Sequence, residues 1–542
     1  MSITVTPAGS ISLCRTTLEN DYKNTLTWSN INAQTNYFNN LPNKVNLTEY
    51  TYMKKDGKIR VSIPIDDIIN YNYCYYNNGG FTTKRYYCFI TRMEFVNENL
   101  TDVFIETDVF QTWYFDIVWN RCFVEREHVN NDTIGVHTIP EGLETGEYVC
   151  NGIGNLATNL KNCYVCAMVT VIPDGITVNT LHIRYGGVFC GGVMIVLDSF
   201  LSAANLCRAY DMMGKGDAIT AMFMIPQSLV GTIESSDWFQ GKFTKDSHTI
   251  EFRCAIPDYT DNETLLATAT ITRPTTLNGY TPKNNKLLVW PYNYFYVSNT
   301  VGTDVEYRYE DFLNGSPSFK TIGCITPGGS IRSVPMNYKL LADTETSYNH
   351  FNAGVPAPKF PLCSWQNDAY TNWLTQNAVN IGASIASDLG SIAIGGAMLS
   401  SGMTIGGAGS VINGVTGIAG TLGTIYQHSL IPPHTRGNTN TGDVAYASGS
   451  LEQPYYKMCI KYEMAEVIDN YFSMFGYKVN MIKIPNITGR SQWNFIKTID
   501  CNADGNIPQE DLETIKKACN TGITFWHNPA NMYNYSLSNT IV

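Results

Sequence analysis

The sequence predicts a mainly β, antiparallel protein of barrel or sandwich type, and three observations point there. The chain is 44% hydrophobic but only 15% charged, with Asn, Tyr, Thr and Gly abundant, a balance that favours strands and turns over long helices. In "NLTEYTYMKKDGKIRVSIPI", Asp56 and Gly57 sit between two partly alternating runs, and an Asp-Gly pair supplies the positive φ of a tight hairpin. Runs from Arg85 to Val96 and from Val103 to Phe115, joined by a polar turn, have the length of strands in a barrel or a large sheet.

At 542 residues the chain exceeds the size at which one core keeps growing, so two or three domains are expected. Residues 1–150 form the N-terminal part of a β domain. Residues 151–284 change character, with "RYGGVFCGGVMIV", the Asp174-Gly175 pair and "ATATITR" marking a β or α+β middle insertion. Residues 285–380 return to hairpin-like strands in "KLLVWPYNYFYVSN" and "VEYRYEDF", followed by a short lead-in helix over Ser364 to Val379. A long Gly-rich apolar loop fills 381–435. Residues 436–542 close the β domain with a strand in "SQWNFIKTID", a helix in "PQEDLETIKKACN" and a strand in "GITFWH". Pro508 near its start, acids in its first turn and Lys516 and Lys517 near its end are the helix signals.

Net charge of -11 argues against a surface that grips nucleic acid, because phosphate binding draws on Lys and Arg clusters. The same charge suits a wall past which DNA slides without being held. "MSITVTPAGSISLCRTTLEND" lacks the basic start and apolar core of a secretory signal, so folding in a cytoplasm is expected. The 15 cysteines are scattered in apolar strand-like runs and read as buried free thiols. Cys163 and Cys166 have no second CxxC to complete a zinc site.

"SIAIGGAMLSSGMTIGGAGSVINGVTGIAGTLGTIY", from Ser391 to Tyr426, contains no Asp, Glu, Lys or Arg. Its Gly content speaks against a core helix, since each Gly costs ~1 kcal/mol against Ala. A bilayer needs ~20 apolar residues, which the length allows. Magnitude decides between permanent and conditional insertion. Leu389, Ile392, Ile394, Met398, Leu399, Met403, Ile405 and Val411 contribute roughly -0.3 to -0.6 kcal/mol each, and Gly, Ser and Thr offset much of it. One copy inserts marginally, so the stretch reads as a fusion-peptide-like segment acting in several copies; a low-complexity loop without a membrane role is the alternative. Ile412, Ile418, Leu422 and Ile425 extend the same apolar set.

The chain resembles the distal tail knob proteins of small short-tailed phages that infect Gram-positive bacteria. The resemblance rests on "NDYKNT" at Asn20, "ETDVFQTWYFDI" at Glu106, "FVEREHV" at Phe123, "TIPEGLETGEYV" at Thr138, "KLLVWPY" at Lys286, "IPPHTRGNT" at Ile431, "FGYKVN" at Phe475 and "GITFWH" at Gly522. It covers roughly the first 150 residues and those after about 286; the middle departs from the family. The resemblance implies antiparallel β-barrel or sandwich domains assembling into a hexameric tube in the virion tail, built in the host cytoplasm. Other phage tail proteins, the host membrane and viral double-stranded DNA passing through without specific binding are the implied partners. The apolar residues from Ile381 to Ile431 would plug the tube and, once released, form a membrane pore. No catalytic residue is carried over. A protein that binds or cleaves cell-wall glycan is the second reading.

Three further constellations stand apart. "DCNADGNIPQED" places Asp500, Asn502 and Asp504 at alternate positions with Gly505 and a terminal Asp511, as in a calcium loop. It departs in its final Asp and in the strand-like segment before it, and a polar turn that caps the next helix is the plain alternative. Apart from calcium at this loop, the sequence implies no cofactor. His428 and His434 flank the exit of the apolar segment and are candidate pH triggers for its release. Asp116, Glu125 and Glu127 beside His128 could suggest a glycosidase, but clustering in sequence says nothing of separation across a sugar; interstrand pairing is the simpler reading.

Overall fold

The computed structural model describes residues 9–50 except 49, 57–78, 84–178 except 158, 159 and 161, 184–185, 188–189, 192–257 except 231 and 232, 264–339 except 301, 314 and 326–330, 354–357, 362–366, 436–438 and 452–542. The chain is mainly β and antiparallel, and it divides into two compact units.

The first unit comprises Met1–Gly146, Gly279–Tyr292 and Lys461–Val542. One sheet runs in the order β3 (Val45–Thr48), β1 (Gly9–Cys14), β5 (Tyr73–Asn78), β6 (Arg85–Asn97), β7 (Leu100–Thr107) and β4 (Lys58–Val61). A second is ordered β2 (Asn24–Leu26), β30 (Ile523–Trp526), β28 (Trp493–Ile499), β9 (Cys122–Glu127) and β27 (Tyr477–Lys483), with β2 parallel to β30. A ribbon joins β8 (Val118–Trp119) to β29 (Ala503–Asp504). Helices α1 (Ile31–Asn39), α2 (Ile65–Ile68), α3 (Val109–Trp113), α6 (Tyr462–Phe475) and α7 (Gln509–Thr521) complete the unit.

The second unit comprises Glu147–Asn278 and Asn293–Ile460. Its largest sheet is ordered β16 (Phe239–Lys245), β17 (His248–Ala255), β14 (Val193–Leu197), β11 (Cys163–Val169), β15 (Ile219–Pro226), β24 (Leu362–Gln366) and β25 (Arg436–Asn438). Two four-stranded sheets follow: β10 (Tyr148–Asn155), β26 (Pro454–Ile460), β19 (Asn293–Ser298) and β20 (Asp304–Tyr307); and β18 (Thr264–Thr270), β21 (Ser318–Gly323), β22 (Arg332–Met336) and β23 (Val355–Pro356). A small ribbon pairs β12 (Arg184–Tyr185) with β13 (Val188–Phe189). Helix α4 (Phe200–Met212), N-capped by Ser199, packs on β17 and β16, and α5 (Gln227–Val230) follows β15. All five residues of β14 are buried, and an apolar run of this kind marks a strand covered on both faces. Cys163 and Cys166 lie on β11, with Cys166 at the centre of that core.

Two local expectations need correction, and a third falls only partly on described residues. Gly57 has the positive φ, 61°, that the Asp56-Gly57 turn calls for; residues 51–56 lie outside the described residues, while β3 lies against β1 and β4 against β7 at the edges of the six-stranded sheet. Lys58 and Arg60 on β4 both ion-pair with the buried Asp102 of β7. The run from Val103 to Phe115 is not one strand, because Asp108 stops β7 and caps α3 by accepting from the Phe110 and Gln111 amides, each at 3.1 Å. An N-cap side chain takes amides that would otherwise be left unpaired. The helix expected from Ser364 begins instead as strand, since Ser364, Trp365 and Gln366 pair with Asn438, Gly437 and Arg436; residues 367–379 lie outside the described residues.

The hairpin of β19 with β20, the strands β28 and β30 and the helix α7 form where their sequences place them. Pro508 precedes α7, Glu510 and Asp511 occupy its first turn, and Gly522 ends it at φ 108°.

Candidate functional site

Four of the motifs quoted above converge in the first unit on one buried carboxylate. Glu141 has a side chain 0% exposed and ion-pairs with both Arg126 of β9 and Lys286. It also accepts the Lys478 amide at 3.0 Å. Arg126 Nη1 in turn donates to the Gly476 carbonyl at 2.7 Å. Two cations on one carboxylate leave surplus positive charge, and aromatic faces take it up: Lys286 lies 5.3 Å from the Tyr477 ring centre and Arg126 5.0 Å from that of Tyr471, at cation–π range. Burial pulls the Lys286 ammonium below its ordinary range, while Glu141 pushes back.

A β-bulge makes this knot possible. On β9, Arg126 pairs with both Lys497 and Lys478 while Val124 pairs with Thr498 and Met481, so Glu125 is skipped in both ladders. The extra residue breaks the period-two alternation and lets Arg126, Glu127 and His128 all be buried in succession. Glu127 ion-pairs with Lys483 and accepts the Asn486 amide at 3.0 Å. His128 accepts the Phe495 amide on Nδ1 at 2.8 Å and reaches the Ser473 carbonyl with Nε2 at 3.0 Å. Those contacts fix the neutral tautomer with its proton on Nε2. Burial, and then the nearby Arg490 charge, lower its pKa to about 3. Gly476 is glycine for a reason, with φ 64° and space so tight that a Cβ would fall 2.1 Å from the Glu127 carbonyl oxygen.

A second knot joins "NDYKNT", "ETDVFQTWYFDI" and "GITFWH". Gln111 Nε2 donates to the Leu26 carbonyl at 2.9 Å and to Thr25 Oγ1 at 3.1 Å, while its Oε1 accepts from Trp28 Nε1 at 2.7 Å. Trp526 Nε1 donates to Asn24 Oδ1 at 2.9 Å. Asp108 also accepts from Tyr73 Oη at 2.8 Å, and burial raises its carboxyl pKa to about 6.

The other sequence candidates are scattered. The apolar residues Leu389, Ile392, Ile394, Met398, Leu399, Met403, Ile405, Val411, Ile412, Ile418, Leu422 and Ile425, together with His428 and His434, lie outside the described residues. Among the described residues no helix is long and apolar enough to cross a membrane. Asp500 and Asn502 follow β28, which is a strand rather than an entering helix, and Asp504 lies in β29. Asp511 turns inward and accepts from Trp113 Nε1 at 2.8 Å. No described group of three or more His, Cys, Asp or Glu side chains is placed to hold a metal, and that covers Asp500, Asp504 and Asp511. Asp116, Glu125 and Glu127 pair separately with Lys84, Lys497 and Lys483.

Sequence reasoning missed Asp469 on α6. It accepts from Tyr280 Oη at 2.8 Å, from the Lys283 and Asn284 amides at 2.7 and 3.1 Å, and from Asn284 Nδ2 at 2.8 Å. Ala465, Ile468 and Phe472 at helical spacing on the same buried face were the available signal for α6. Nothing in the sequence joins Asp469 to residues almost two hundred positions away.

The family model described as the C-terminal domain of Bacillus phage phi29 tail knob protein gp9 matches residues 256–540, and one described as the caudoviral major tail protein N-terminus matches residues 10–119. Tail knob protein gp9 of Bacillus phage B103 is 26% identical, with 96% of each chain covered; that of Bacillus phage phi29 shows the same identity and coverage. The solved structure of the bacteriophage C1 tail knob protein gp12 superimposes with TM-score 0.62 over 98% of this chain and 100% of that one, at 13% identity. That likeness speaks to the fold.

Proposed function

We propose a function from one premise: this chain belongs to the family of the phage phi29 tail knob protein gp9. As a structural component of the virion tail, it assembles with further copies, six by family resemblance, and with other tail proteins into a tube for the viral double-stranded DNA. An acidic wall suits that task, because a net charge of -11 gives phosphates little to hold. The apolar residues from Ile381 to Ile431 close the tube at rest and enter the host membrane when released, forming the passage for genome ejection. Several marginal segments held together at high effective concentration insert where one does not. His428 and His434, at the segment's exit, assist release when protonated.

The observation that carries this reading is the charge-free stretch from Ser391 to Tyr426 in an otherwise polar, acidic chain. Dye leakage from liposomes tests it. The full chain should release dye and a chain lacking residues 385–430 should not; equal leakage from both would overturn the membrane role. Replacing His428 and His434 with Gln should remove any excess leakage at acid pH.

A further inference from the structure

Outside the two knots, the first unit contains a pair of neighbouring cysteines that the tail knob role does not explain. Cys501 lies two residues past the end of β28 and is 4% exposed; Cys519 lies in the last turn of α7 and is fully buried. Both belong to one apolar cluster with Val109, Phe110 and Phe525. Asn520 fixes their approach, because its Oδ1 accepts the Cys501 amide at 2.9 Å and Thr498 Oγ1 at 2.8 Å. The end of α7 is therefore tied to the turn that carries Cys501.

We propose that Cys501 and Cys519 form a dithiol that closes to a disulfide once the protein leaves a reducing cytoplasm, fastening α7 to the end of β28. Reactivity within the pair is unequal. Hydrogen bonding from Cys519, opposed by burial and aided by Thr498 and Lys516, lowers the Cys501 pKa, whereas Cys519 is raised. Since the thiolate is the nucleophile, Cys501 attacks first. It displaces one thiolate from a small-molecule disulfide such as oxidised glutathione and becomes a mixed disulfide. Cys519, losing its proton, then attacks the Cys501 sulfur and expels the second thiol. Two electrons pass to the oxidant, and two cysteine protons end on the released thiols. The bridge closes a loop of about twenty residues, a length at which cross-linking constrains the unfolded chain substantially.

The protein contains its own comparator. Cys74 on β5 and Cys88 on β6 are direct cross-strand partners, equally buried, but hydrogen bonding with Cys88 and burial raise the Cys74 pKa, so Cys74 does not supply an attacking thiolate.

The inference rests on the virion setting only for its oxidising surroundings, and the test does not require a virion. Full-length protein, purified in reductant and then exposed to oxidised glutathione, is alkylated and peptide-mapped by mass spectrometry. A Cys501–Cys519 link should appear while Cys74 and Cys88 remain alkylatable. The melting temperature should rise by roughly 5–10 °C and fall back on reduction, and the C501S/C519S double variant should show no redox-dependent shift. A link at Cys74–Cys88 or to the neighbouring Cys122 in its place, full alkylation of Cys501, or a link without a rise in melting temperature would each overturn the proposal. Reading the wild-type chain before and after oxidation keeps the test valid if the double variant fails to fold.

Discussion

The two units are held together by different means. In the first, Asp102, Asp108, Arg126, Glu127, Lys286, Asp469 and Asp511 are buried, and each has a directional partner. In the second, the buried polar residues among those described are uncharged, such as Ser202, Asn299, Thr321, Ser333 and Gln453, and the main cluster is mostly Ala, Ile, Leu, Met, Val and Phe. Apolar burial is non-directional and tolerates exchange among side chains of similar volume. A buried charge demands one partner in one geometry. The first unit should therefore be intolerant of conservative replacement and the second forgiving.

The sharpest way to break that contrast is Glu141→Gln. It leaves Arg126 and Lys286 buried without a counter-charge, and removal of one partner from a buried ion pair costs about 3–5 kcal/mol. Urea denaturation followed by tryptophan fluorescence should show this loss; one below about 1 kcal/mol would mean that the knot is not a determinant of stability. Conservative exchanges refine the comparison. Arg126→Lys cannot serve both Glu141 and the Gly476 carbonyl in the same planar geometry and should cost about 2 kcal/mol or more. Met222→Leu in the β15 core keeps volume and should cost under about 1.5 kcal/mol. Equal effects would erase the distinction.

This contrast also explains what the sequence revealed. The β class, the closing strands and α7 were legible because their signals are local: alternation, a Pro before the helix, acids in its first turn, Gly522 after it. Knot members such as Arg126, Glu141, Lys286 and Lys478 were visible only within phrases that resemble a family, since contacts such as Lys286 with Glu141, 145 residues apart, leave no periodicity. The bulge at Glu125 was illegible for the same reason, being defined by two partner strands from the far end of the chain. At Asp56 and Gly57 the local signal was legible, since Gly57 takes the positive φ of 61°, whereas the pairing of β4 with β7 through Lys58, Arg60 and Asp102 was not, because those partners lie 44 and 42 residues apart.

Acid separates two groups within the first unit. His128 titrates near pH 3 in the fold and near 6.5 when unfolded, so the unfolded chain binds the proton first. Its contribution is present above pH 6.5 and is lost as pH falls toward 3. Asp108 titrates near pH 6 in the fold and 3.8 when unfolded, so the folded state takes that proton first and gains stability as pH falls from 6 to 3.8. Between pH 4 and 6 the two oppose each other, at up to about 1.4 kcal/mol per pH unit each. Asp108→Asn should therefore steepen acid destabilisation measured by thermal melts, and His128→Asn should reverse its sign in that window. Parallel profiles for the two variants would show that neither group titrates as its burial dictates.

The smallest expected effect isolates burial from charge on a single strand. Glu125 and Glu127 are two residues apart on β9, and each pairs with a lysine. Glu127 is fully buried, whereas the Glu125 pair, at 2.9 Å, has side chains 28% and 38% exposed. Solvent screens that pair and side-chain ordering opposes it, so Glu125→Gln should change stability by no more than about 0.5 kcal/mol, shrinking further in high salt. Glu127→Gln should lose several times as much, because the Asn486 amide and the Lys483 ammonium would then face a weaker acceptor inside the protein. If the two substitutions cost the same, ionic pairing itself rather than its burial holds the first unit, and the contrast with the second unit would have to be redrawn on the number of ion pairs alone.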